Sequence, residues 1–338
     1  TCLWFESMKG VPKILFDPAD FEAGTGASAW SQLFRFLHFA KPLDVPGRSF
    51  SSYVNSYIID GLIFGQGVFG LQTMEFDEEK DTVLHGEKYL VSWVLQRGRM
   101  NILHDGEMLD VGPGEYCLID QSRQSKAILT DSDVLSVIIP HSTIGYDPSL
   151  HPSRVHVDLS APLAQLLYDD LQTITAAAPT MTRREAPAYG QTHKSLLIDL
   201  LEAHASPQSK QTSAMEIRAF VDKQIFSDDV TVEDVMRRLE RPRGIILDAL
   251  GFPPSFEVYI EERRLVYALR SLAFGGTSPD WLQTVARRSG YPSVTEFQVA
   301  FAAQFGFEPQ TVLGVLVDSH AQTIIPQGKY QWEKWFSP

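Results

Sequence analysis

The sequence predicts an α+β protein: an N-terminal antiparallel β-barrel with flanking helices, followed by an all-α C-terminal domain. Three patterns point there. From about residue 50 to residue 140, short apolar runs alternate with turn residues, and few stretches could make a long helix. From residue 159 the apolar spacing changes to three and four residues, the period of amphipathic helices. Nearer the C-terminus two helix–turn–helix patterns follow one another, over residues 232–250 and 281–305.

The bulk properties set limits on this reading. A length of 338 residues is a prior of about two domains at roughly 150 residues each. With 44% hydrophobic and 21% charged residues, the chain is neither disordered nor collagen-like. It carries 29 basic against 42 acidic residues, a net charge of −13, so any basic footprint for nucleic acid or an anionic membrane has to be local. No apolar run approaches the ~20 residues of a membrane span, and residues 1–10 lack the pattern of a signal peptide. The expectation is a cytoplasmic protein with no membrane partner. Cys2 and Cys117 are the two cysteines, too few for a disulfide scaffold or a thiolate metal site.

The strands come first. Residues 89–95 precede an Arg97-Gly98-Arg99 turn; residues 100–103 lead through His104-Asp105-Gly106 to residues 107–111; Gly112-Pro113-Gly114-Glu115 precedes residues 116–119; and residues 134–139 close the set. Strands of this length with regular turn signals make a barrel or a sandwich, and a small barrel can hold one ligand. By alternation Trp93, Leu95, Ile102, Tyr116 and Leu118 are candidate wall residues of an effector pocket, with Arg97 or Arg99 available to an anion. The parity that faces inward stays open, and aromatic or aliphatic residues in a small barrel also serve simply as core.

Two amphipathic helices follow, one on Leu163, Leu166, Leu167, Leu171 and Ile174, the other on Leu196, Leu197, Leu200 and Leu201. The polar stretch 205–213 reads as a linker. Domain boundaries are therefore drawn as 1–150 for the N-terminal region with its barrel core at about 50–145, 151–204 for a helical connector, 205–213 for the linker, 214–313 for the helical domain and 314–338 for a tail.

In the second helix–turn–helix pattern, Trp281, Leu282, Val285 and Ala286 form an apolar face. Gly290 stands at the turn, Phe297, Phe301 and Phe305 recur every four residues, and Phe305-Gly306-Phe307-Glu308-Pro309 closes the unit. This resembles the second helix–turn–helix of the AraC/XylS family of bacterial transcription regulators. Tyr259, Ile260, Arg264, Leu265, Ala268 and Leu272 look like the long linking helix of that family, and the strand region is similar to its cupin-like N-terminal domain. The resemblance covers about residues 29–313. It implies a sensor that answers to a small molecule or partner, dimerisation through the helical connector, and a homodimer that reads double-stranded DNA with two recognition helices in successive major grooves.

The residues that would touch DNA are Arg237, Arg238, Arg241 and Arg243 in the first unit and Arg287, Arg288, Ser293, Thr295 and Gln298 in the second. Each has an ordinary structural alternative. Arginines late in a helix complement its dipole and pair with Glu233, Asp234 or Glu240, while Ser293 and Thr295 are common N-caps. The sequence also departs from the family pattern. The second recognition helix has no Lys or Arg, with Val299, Ala302 and Ala303 where basic residues are usual, and Val312 and Leu313 replace Tyr-Arg. In the first unit Glu240 takes the place of the turn glycine, Pro242 and Gly244 enter the recognition helix, and Ile245, Ile246, Leu247 and Leu250 are left to pack it. Over residues 214–313, 11 basic against 14 acidic residues leave the module near −3. The alternative reading is a degenerate relative that kept the fold and works as a sensing or protein-interaction module.

Other chemistries lack their motifs. Gly65-Gln-Gly-Val-Phe-Gly70 matches a dinucleotide fingerprint, but the residues after it alternate like a strand. His85, His104 and His141 are scattered without an H-x-H, and Cys117 stands where a metal-binding cupin would place its second-motif histidine. With no nucleophile elbow, Walker A or zincin motif, the expectation is a protein that is not an enzyme and carries no cofactor or metal.

Overall fold

The structure is a computed structural model, and it describes residues 10–34, 39–76, 88–205, 214–226, 230–250 and 253–316. Cys2, His85, the linker from residue 206 to 213 and the tail from residue 317 lie outside these. The chain forms two compact units, one holding the strands and the first four helices, the other the remaining helices.

Two antiparallel sheets build the first unit. The larger has the order β1 (Lys13–Phe16), β3 (Tyr53–Ile59), β4 (Leu62–Phe69), β11 (Ser132–Pro140), β6 (Tyr89–Arg97), β9 (Glu115–Asp120) and β12 (Arg154–Asp158). The smaller has the order β2 (Phe39–Pro42), β5 (Gln72–Phe76), β10 (Ser125–Leu129), β7 (Met100–His104) and β8 (Glu107–Val111). The Asp105-Gly106 turn joins β7 to β8 with both residues at positive φ, the two-residue turn that matches strand twist. Strands β1, β2 and β12 lie outside the predicted barrel core, each only four or five residues long.

One core lies between the sheets and includes Val91, Trp93, Leu95, Met100, Ile102 and Ile119, closed at one side by Trp30 and Leu33 of α1 (Gly26–Leu33). A second core lies on the other face of the large sheet. There Phe64, Val94, Tyr116, Leu118 and Val137 meet Leu167, Leu171 and Ile174 of α3 (Pro162–Ala177) and Leu197 and Leu200 of α4 (Ala186–Ala205). A short helix, α2 (His141–Ile144), follows β11. The large sheet is thus covered on both faces, so the middle strands β6 and β9 are buried nearly end to end and lose the alternation of a half-exposed strand.

The glycine motif runs along β4. A Cβ on Gly67 would stand 2.3 Å from the Tyr53 carbonyl oxygen of β3, so the glycines there permit strands to approach and open no nucleotide loop.

The second unit begins with α5 (Ala214–Asp222), followed by two bihelical pairs: α6 (Val232–Leu239) with α7 (Arg243–Ala249), and α9 (Pro279–Arg288) with α10 (Val294–Phe305). The 19-residue helix α8 (Phe256–Phe274) joins the pairs. Its first turns pack Phe256, Tyr259 and Ile260 with Val235, Ile246 and Ala249 of the first pair. Further along, α8 contacts α9 and α10, and the Trp281 indole N–H donates to the Ser271 carbonyl at 2.9 Å.

Candidate nucleic-acid interface

Each bihelical pair is set by local chemistry before any tertiary contact. In the first, the Thr231 hydroxyl accepts from the Asp234 N–H and donates to its carboxylate at 2.7 Å, capping α6. Glu233 and Asp234 open the helix and Arg237 and Arg238 close it, each sign at the end the helix dipole favours. Glu240 then turns the chain at φ 53°, as the missing glycine would. In the second pair Gly290 makes the turn at φ 86°, and Phe297 and Phe301 are fully buried in a ladder with Phe305 and Phe307.

The predicted contact residues separate into two groups. Arg237 lies 3.1 Å from Asp234 and Arg243 lies 2.7 Å from Glu233, so both are engaged in exposed ion pairs. Arg238, Arg241, Arg287 and Arg288 are exposed, and none of their side chains makes an ion pair or hydrogen bond among the described residues, although Arg238 lies near enough to Asp234 to stabilise its charge. Arg287 and Arg288 fill the last turn of α9, as Arg237 and Arg238 fill that of α6. Four guanidinium groups without a side-chain hydrogen bond among the described residues therefore stand at or just past the ends of the first helices.

Ser293 is an N-cap: its hydroxyl accepts from the Glu296 N–H at 3.2 Å and donates to the Glu296 carboxylate at 3.0 Å. Its O–H and one of its lone pairs are therefore used by the helix, which is the N-cap role the sequence offered as the alternative. Thr295 is exposed at the second position of the helix, within its first turn, and Gln298 is half-buried further along. The outward face of α10 presents Thr295, Val299 and Ala303 and no cation; Val299 is 68% exposed.

In α7, Ile246 and Leu250 are buried and Leu247 is half-buried, as packing residues should be, but Ile245 is 50% exposed. The sequence reading that gave Ile245 to the core is corrected. A seven-residue helix presents one narrow face to the core, and Ile246 with Ala249 fills it.

The effector candidates divide in the first unit. Trp93 and Leu95 are buried between the sheets, on the inward parity. Tyr116 is not: it pairs with Val94 and points to α3 and α4, as does Leu118, because neighbouring residues on a strand face opposite ways. Arg97 is also misplaced as a pocket cation. It lies at the exposed end of β6 in a bidentate pair with Asp133, at 3.0 and 3.1 Å, and Arg99 pairs with Asp110. Between the sheets a cavity of about 10 Å³, lined in part by Trp93, Met100, Ile102 and Gln121, has room for about one water.

A polar cluster escaped the sequence reading. Asp120, fully buried at the end of β9, lies 3.1 Å from His141 Nε2 and accepts from the Ser122 N–H at 2.9 Å and the Tyr146 hydroxyl at 3.4 Å. Burial pushes the Asp120 carboxyl up, but His141 and the Ser122 groups outweigh it and hold it below the usual carboxylate range. Its members are far apart in sequence, joined by the pairing of β6 with both β9 and β11, so no linear signal announced them. Among the described residues no three His, Cys, Asp or Glu side chains are grouped to hold a metal ion, and no helix is long and apolar enough to cross a membrane.

The chain is thus a β-sheet unit followed by two bihelical pairs on one connecting helix. No family model matches the sequence, and no curated protein matches it significantly. Among solved structures, the AraC-like transcriptional activator CuxR is similar over 77% of this chain and 96% of its own, at 18% identity and a TM-score of 0.50. ToxT from Vibrio cholerae O395 aligns over 75% of this chain and 98% of its own, at 15% identity and a TM-score of 0.31. The EutQ protein of Clostridium difficile aligns over 29% of this chain and 69% of its own, at 17% identity and a TM-score of 0.22. The likeness to CuxR shows a shared fold.

Proposed function

We propose that this protein is a sequence-specific DNA-binding transcription regulator of the AraC type. The observation that carries the reading is the pair of equivalent bihelical units on α8, each ending its first helix in two arginines, of which Arg287 and Arg288 are exposed and without a side-chain partner among the described residues. Free guanidinium groups on an exposed helix end suit phosphate, and releasing counterions there supplies affinity without base contacts. The module charge near −3 makes that affinity weak and confined to low salt. In this reading the first unit is the sensor, α3 and α4 with the exposed Leu166 form the dimerisation surface, and the protein is cytoplasmic and not an enzyme. An effector between the sheets requires them to part, because the present cavity takes about one water. The test is selection of bound duplexes from a random pool by the full chain at low salt, read by mobility shift. Recovery of a shared sequence supports the proposal, and failure to shift any duplex overturns it.

A second reading is favoured by one observation: α10, the better formed recognition helix, exposes no cation. A chain that kept the fold as a sensing or protein-interaction module has that surface. It predicts no mobility shift at any salt concentration.

A further inference from the structure

The outward surface of α10 is unusual for a groove-reading helix in what it offers. Thr295, Val299 and Ala303 are exposed and spaced four residues apart, so they lie along one side of the helix, opposite the buried Phe297 and Phe301. Each side chain includes at least one methyl group. Of the nearby polar groups, Ser293 and Glu296 bond to one another at the cap, and Gln304 is exposed beside Ala303. The first recognition helix shows the same substitution in kind, with Ile245 half exposed beside Arg241 and Arg243.

Two occupants suit exposed methyl groups. A protein partner needs a contiguous apolar patch of about several hundred Å². One valine flanked by threonine and alanine, with single isoleucine exposure on the other helix, falls well short of that. A DNA major groove needs less, because thymine presents a single C5-methyl at the groove edge, and alanine or threonine methyls are among the side chains that meet it. The free Arg287 and Arg288 at the end of α9 supply the charge that a phosphate backbone complements.

We propose that Thr295, Val299 and Ala303 read thymine methyl groups, with Ile245 making the same kind of contact from α7, so that the chain selects A·T pairs by apolar contact instead of guanine by an arginine fork. This rests on the DNA-binding reading above.

The experiment begins with duplexes recovered by the full chain from a random pool. Each thymine is then replaced singly by deoxyuridine, which keeps every Watson–Crick hydrogen bond and lacks only the C5-methyl. Removing one contacted methyl weakens binding about fourfold, and removing one elsewhere has no effect. In Val299→Ser, whose exposed position leaves folding intact, the sensitivity disappears at one thymine and stays at the others. Recovered duplexes that bind equally well with uracil at every position overturn the methyl contacts and leave DNA binding standing. If no duplex is recovered at all, the regulator reading fails and takes this inference with it.

Discussion

Glu240 holds a left-handed backbone at φ 53° and ψ 41°, a conformation that costs an L-residue about 1–2 kcal/mol. Glycine there removes that cost and returns about 0.4–1 kcal/mol as unfolded-state entropy. Glu240→Gly is therefore expected to stabilise the second unit by about 0.5–1 kcal/mol, seen as a higher urea midpoint; a lower midpoint would show that the side chain contributes something the turn does not explain. His104 offers a residue-scale test in the first unit. It is fully buried, with neither ring nitrogen in hydrogen-bond geometry among the described residues. Burial lowers its pKa, against the carboxylates of Asp105 and Asp120 and the nearby Ser153 backbone, which raise it, and with Arg154, which lowers it further. The unfolded chain takes up the proton near pH 6.5, about the ordinary value, while the folded chain refuses it until lower pH. Stability contributed by neutral His104 is thus present above about pH 6.5 and lost as pH falls toward the lowered folded value. His104→Leu is expected to flatten the decline in urea midpoint between about pH 7 and pH 5, and an unchanged slope would refute the assignment.

At the level of elements, the β3–β4 turn is fixed by α4. Asp60 and Gly61 take positive φ in a two-residue turn, and Gln191 and Lys194 donate to the Asp60 carboxylate at 2.7 and 2.8 Å. Gly190 lets the helix come this close, since a Cβ there would stand 2.2 Å from the Asp60 Cβ. That neighbour is next to the backbone and cannot swing aside. Gly190→Ala gains about 1 kcal/mol of helix propensity and incurs about 1–3 kcal/mol of overpacking, so a net loss of up to about 2 kcal/mol is expected in urea denaturation. A stabilised variant would mean that the turn and helix separate more readily than their contacts imply. The helix ends were legible in advance for a related reason. Caps such as Ser293, glycines such as Gly290 and the four-residue phenylalanine spacing act within one or two turns of chain.

At the level of the whole molecule, a chain of net charge −13 has to hold DNA with a few local cations or not at all. Arg287→Ala with Arg288→Ala removes two exposed cations whose side chains pair with nothing among the described residues, so folding loses only the modest helix-dipole contribution of about 0.3–1 kcal/mol each. If both meet phosphates, the low-salt mobility shift is abolished, and in any residual binding the slope of log affinity against log salt shrinks by about 2. Equal binding and slope in the double variant would remove these residues from the interface. The same scale explains why the barrel-wall candidates divided between two cores. Trp93 and Tyr116 are both buried aromatic residues in apolar strands, and the two-sided cover of the large sheet sent them to different cores.

From the sequence alone came whatever short-range periodicity encodes: the strand-rich region, the two connector helices, and two bihelical units on a long helix, the last helix of which has no Lys or Arg. Tertiary structure alone decided which strand residues share a face, that Arg97 and Arg243 are taken by carboxylates, that Ile245 is exposed, and that Asp120, His141 and Tyr146 meet. The division has a physical cause. Caps and helical repeats act over a few residues, whereas sheet parity and buried polar contacts depend on which distant strands become neighbours.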